Sequence, residues 1–120
     1  MFIDVLGRYP EIIAGYDVLQ YRMAGGSYQF IARVRLSDQT ELHVKDYLFL
    51  DGARKYSYHW QDAAGRCIIR WDNAPHHQAT GTFPFHKHLG ERETIEESPP
   101  MKLSLVLEYI RGHIIPYRRH

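Results

Sequence analysis

KYSYHWQDAAGRCIIRWDN, residues 55 to 73, decides the fold. Its two halves alternate around the turn-forming run DAAG and read as a β-hairpin. A four-residue loop over residues 62 to 65 pairs Gln61 with Arg66 and Trp60 with Cys67. Tyr56, Tyr58, Trp60, Cys67, Ile69 and Trp71 then share one apolar face. Ser57, His59, Arg70 and Asp72 share the other, with Ile68 as the apolar exception. A one-residue slip exchanges the faces, so the register that segregates core from polar groups is the one expected.

Upstream, the same period continues. ELHVKDYLFL, from residue 41, reads as a strand whose alternation blurs near Asp46 and predicts a bulge there. SDQT is a turn. Before it, SYQFIARVRL sets Tyr28, Phe30, Ala32, Val34 and Leu36 on one side. Gly25-Gly26 is a hairpin turn signal, and YDVLQYRM, 16 to 23, is the strand that leads into it. Phe2, Val5, Leu6 and Tyr9 have helical spacing, and Pro10 ends that helix. Downstream, residues 75 to 90 read as a loop broken by Gly81 and Pro84, and GERETIEE as a solvated charged run. Ser98 and Pro99 suit the N-cap and first position of a helix. Its stripe is Leu103, Val106, Leu107, Ile110 and Ile114. The expected architecture is one α+β domain over residues 1–120, with its core at about 16–113 and a basic tail at 116–120. It is a five-stranded antiparallel meander with a short N-terminal helix and a C-terminal helix packed on one face.

Composition narrows the function. Hydrophobic residues are 44% and charged residues 24%, enough apolar material for one core. The single cysteine, Cys67, excludes an internal disulfide and a cysteine-based zinc knuckle. No apolar run nears the roughly 18 residues of a membrane span. The first residues lack the basic start of a signal peptide, so no membrane partner is expected and the cytoplasm is the expected compartment. The formal net charge is only +1, which argues against a broad electrostatic coat for nucleic acid. Eight histidines make that charge climb below about pH 6.5.

Four of the eight histidines fall within RWDNAPHHQATGTFPFHKH, residues 70 to 88. An extended HKH puts His86 and His88 on one side, able to grip a metal ion or hold a phosphate between them. Asp72 can complete a metal shell or fix a histidine tautomer. Arg70 is a fork suited to phosphate, and Lys87 adds a point charge. Alone, an HxH pair, an Arg–Asp pair on a strand and an Asn-Ala-Pro turn are ordinary surface features. Their convergence at a strand end and its following loop points to a site. The segment is expected to fold back so that His86 and His88 approach Asp72 and His76.

The run YSYHWQDAAGRCIIRWDNAPHH, followed by TFPFHKH, resembles the TumE-like family of small bacterial and archaeal proteins, the toxin halves of type II toxin–antitoxin pairs. The similarity runs from about residue 16 to 110. Tyr58, His59, Arg70, Asp72, Asn73, His76, His86, Lys87 and His88 match recurring positions. Phe85 stands where the family often has His. The resemblance implies a cytoplasmic toxin with a cognate, DNA-binding antitoxin; a homodimer is left open. It does not supply a well-established reaction.

Two classes of function fit these residues. One is a ribonuclease that cuts RNA without a cofactor. His86 and His88 would be base and acid, Arg70 and Lys87 would steady the phosphate, Asp72 would orient an imidazole, and His59 and His76 would complete the catalytic set. Its metal variant places one transition ion, such as zinc or manganese, among Asp72, His76, His86 and His88. Magnesium suits the segment less, since it prefers oxygen ligands. The other class is a non-catalytic module that binds nucleic acid or protein through the same histidine-rich surface.

Overall fold

The computed structural model describes residues 1–75 and 81–116. A short helix, α1 (Phe2–Leu6), precedes seven strands: β1 (Ile13–Ala24), β2 (Ser27–Leu36), β3 (Glu41–Leu48), β4 (Arg54–Gln61), β5 (Cys67–Asp72), β6 (His86–Leu89) and β7 (Thr94–Glu97). A second helix, α2 (Leu103–Ile114), follows. Each strand pairs antiparallel with the next, giving a meander in sequence order. The β1–β2 turn rests on Gly25 and Gly26, both at positive φ, the backbone that matches the twist of a tight hairpin.

The class is the expected α+β, with a helix at each end, but the sheet has seven strands, not five. The additional pair, β6 and β7, spans four residues each. Both lie where a loop and a solvated run were expected. Strands this short carry too few alternating residues to be seen as a pattern. Their turn closes through Glu93 N–H donating to the Gly90 carbonyl at 3.0 Å, with both residues at positive φ.

α2 starts later than expected. Ser98 does not cap it; its hydroxyl donates to the Pro99 carbonyl at 2.8 Å. Pro100 disfavours helical backbone at Pro99, and the Met101 N–H is held by the Tyr56 hydroxyl at 3.1 Å. The helix packs on one face of the sheet. Tyr109 meets the edges of Trp60 and Trp71 at ring-centroid distances of 6.4 and 5.3 Å. Val106, Leu107 and Ile110 are fully buried with Phe30, Val34, Leu42 and Tyr58. Phe2 of α1 stacks on Phe30 at 4.2 Å.

The β4–β5 hairpin segregates its faces as expected but in a different register. Trp60 lies opposite Ile69, Tyr58 opposite Trp71, His59 opposite Arg70 and Ser57 opposite Asp72. A bulge next to Gln61 absorbs Ile68, the residue that broke the alternation. The bulge and a loop one residue longer than expected each shift the pairing by one residue, two in all, which keeps every face intact except that Cys67 now lies opposite Gln61, off the aromatic face.

No bulge occurs at Asp46. It pairs in register with Phe30 and Tyr56 and is 1% exposed, facing the core. Arg54 binds its carboxylate at 2.8 Å, Tyr28 donates to it at 3.0 Å, and the Tyr58 hydroxyl donates to it as well. A satisfied buried acid, not irregular backbone, interrupts the apolar pattern. No described helix is long and apolar enough to cross a membrane.

Candidate functional site

The face opposite α2 carries the site. Antiparallel register stacks its residues into rows across the strands, because directly opposed residues share a face. One row reads Arg33, His43, His59, Arg70 and His88, from β2 to β6. The next reads Lys45, Ser57, Asp72, His86 and Glu97, from β3 to β7.

At the β5–β6 end the rows converge on Asp72. His86 Nε2 is 2.7 Å from Asp72 Oδ1, and His88 Nε2 is 3.2 Å from Oδ2. Arg70 Nε donates to Oδ2 at 3.3 Å, and the Ala74 N–H donates to Oδ1 at 3.1 Å. The other side of the Arg70 guanidinium meets Glu93 at 2.6 Å. His86 Nδ1 lies 2.9 Å from the Pro84 carbonyl, which fixes the ring. The two imidazole rings meet edge to face at 4.9 Å. Asp72, His86 and His88 are all buried. Burial, and then the Arg70 cation, hold His88 below the usual imidazole range, while Asp72 acts the other way.

Towards the middle of the sheet the same face opens. His59 is half-buried, and its Nε2 has no hydrogen-bond partner among the described residues. Burial lowers its pKa, and the cations it would face at Arg70 and His43 lower it further. Its ring lies 6.3 Å from that of His43. A groove of about 260 Å³ runs past both, with Arg33, Lys45 and Ser57 in its wall.

The structure therefore brings together Arg70, Asp72, His86 and His88, with His59 beside Arg70 in the next strand. Lys87 is set apart. It pairs with Trp71 and Glu96, so period two turns it to the α2 face. Asn73 serves the backbone: it accepts from the Tyr56 N–H at 2.9 Å and donates to the Arg54 carbonyl at 2.7 Å. His76, expected in the pocket, lies outside the described residues. His43 and Glu93 escaped the sequence reading. Alternation in β3 places His43 outward, but its meeting with His59 depends on pairing across a non-local register. Glu93 sits in a turn of a hairpin that was not foreseen.

A family model described as Toxin TumE matches residues 3–114. No curated protein and no solved structure matches the chain.

Proposed function

The chain belongs to the TumE toxin family, and on that premise we propose that its toxicity is ribonucleolytic, exercised on the open half of the outer face. The observation that carries this reading is His59: a half-buried imidazole whose Nε2 has no partner among the described residues, paired across the strands with His43 and Arg70 beside a groove rich in cations.

Cleavage of RNA by its own 2′-hydroxyl needs a base, an acid and cations around the phosphate. His59 takes the 2′-OH proton. The 2′-oxygen attacks phosphorus, the bond to the 5′-oxygen breaks, and protonated His43 gives that oxygen its proton. The products are a 2′,3′-cyclic phosphate and a 5′-hydroxyl. Arg70 stabilises the charge that builds on phosphorus, and Arg33 and Lys45 hold neighbouring phosphates. A lowered His59 pKa keeps the base neutral near pH 7.

The roles of base and acid thus pass from His86 and His88 to His59 and His43. His86 is 1% exposed, and both its ring nitrogens are engaged, by Asp72 and by Pro84. Asp72 instead anchors Arg70 beside His59. All of these groups come from one chain, so the chemistry does not need a homodimer. Family membership supports a cognate antitoxin, taken to bind DNA, with the cytoplasm as the place of action.

Purified protein and a 5′-labelled RNA test the reading. The wild type should release fragments ending in a 2′,3′-cyclic phosphate. His59→Ala should lose turnover yet bind RNA within several-fold of wild type. Binding without any cleavage, weakened by the substitution, identifies a non-catalytic binding module and defeats the ribonuclease reading.

A further inference from the structure

We propose that Asp72, His86 and His88 form a site for one first-row transition-metal ion that joins β5 to β6. The three side chains offer a carboxylate oxygen and two imidazole nitrogens whose ligand atoms all lie within 4.8 Å of one another. An N₂O donor set suits zinc and its neighbours in the first row, not magnesium or calcium.

The hydrogen bonding around His86 argues for a cation at the centre. A carbonyl oxygen only accepts, so Nδ1 carries a proton towards Pro84. With no second proton on the ring, the lone pair of Nε2 would point at a carboxylate oxygen 2.7 Å away. Two lone pairs at that distance repel unless a proton or a metal ion lies between them. His88 Nε2 faces the other carboxylate oxygen at 3.2 Å. Neighbouring ligands at about 2.0–2.1 Å from a tetrahedral zinc-like ion lie about 3.3 Å apart, which the His88 pair already meets and the His86 pair reaches by a small outward shift. A carbonyl on the far nitrogen is also the usual support of a metal-bound histidine.

One ion would bond to three side chains at once. Its ligands come from facing strands, Asp72 opposite His86 with His88 two residues on, so it fastens a four-residue strand to the sheet.

This inference does not depend on the ribonuclease reading, because the test reads metal content and stability. The full chain is stripped with chelator and titrated with Zn²⁺ and, separately, Co²⁺. About one equivalent of zinc should bind, and Tm should rise with zinc concentration as expected for an ion that binds only the folded state. Co²⁺ should give a visible d–d absorption band. His88→Gln and Asp72→Asn, each checked for folding by circular dichroism, should abolish uptake and the Tm response; His113→Gln should leave both unchanged. The proposal is overturned if the wild type takes up no zinc or cobalt, or if His88→Gln binds as the wild type does.

Discussion

Two carboxylates lie buried in this sheet, Asp46 on the face under α2 and Asp72 on the face away from it, 1% and 7% exposed. Both accept several hydrogen bonds, and both meet an arginine. Their other partners differ. Asp46 is closed by tyrosine hydroxyls, and the Tyr28 hydroxyl is pushed up to about 12, first by burial and then by Asp46 itself. The Tyr58 hydroxyl and the Arg54 guanidinium are raised too, away from neutral pH. Asp72 is closed by the imidazoles of His86 and His88. The same residue type, buried on both faces, is thus closed by hydroxyls and a guanidinium on one face and by imidazoles and a guanidinium on the other. What decides is the partner.

If that contrast is sound, damage should separate by face. The largest effect is expected for Arg70→Met, which removes the cation that the proposed cleavage uses beside His59. RNA cleavage should fall by roughly 10²–10³-fold in kcat, measured under saturating RNA, with the fold retained. Comparable turnover in this variant would break the assignment of chemistry to the outer face.

Asp46→Asn comes next. It leaves the Arg54 charge beside Tyr58 without its counter-ion. Loss of one partner of a buried pair costs about 3–5 kcal/mol, and Arg54 is 30% exposed, so about 2–4 kcal/mol is expected in urea unfolding. A loss under about 1 kcal/mol would show that the cluster is not a lock.

A smaller effect follows from His59. Its pKa is lowered in the folded state, so between that value and about 6.5 the unfolded chain binds more protons. Stability should therefore rise with pH through this window and be lost on acidification. His59→Gln should flatten that slope in unfolding curves collected from pH 4 to 7. An unchanged slope would contradict the burial of this ring. The smallest effect belongs to Lys87→Ala. On the α2 face and away from the cluster, it should alter stability by no more than about 0.5 kcal/mol and leave cleavage unchanged.

Much of this contrast was legible in the sequence. Alternation in residues 55 to 73 separated Tyr58, Trp60 and Trp71 from His59, Arg70 and Asp72, and the two-residue shift made by the longer loop and the Ile68 bulge together kept those faces. The approach of His86 and His88 to Asp72 could be anticipated from residue type and loop length. Their mounting on a strand could not, since β6 depends on pairing with β5 more than on its own four residues. Asp46 was misread for a different reason. A polar residue in an apolar pattern looks the same whether the backbone bulges or distant Tyr28 and Arg54 satisfy it. Only the fold tells them apart.

The central claim, chemistry on the outer face and a lock on the inner, is tested most directly by adjacent residues of β4 that point to opposite faces. His59→Gln and Tyr58→Phe are compared for RNA cleavage per folded molecule and for unfolding free energy. His59→Gln should lose at least about 100-fold in cleavage and stay within about 1 kcal/mol of wild-type stability. Tyr58→Phe should lose about 1–2 kcal/mol of stability, for a hydrogen bond removed from a buried carboxylate, and cleave at the wild-type rate. The reverse pattern, cleavage lost with Tyr58→Phe and kept with His59→Gln, would contradict the account.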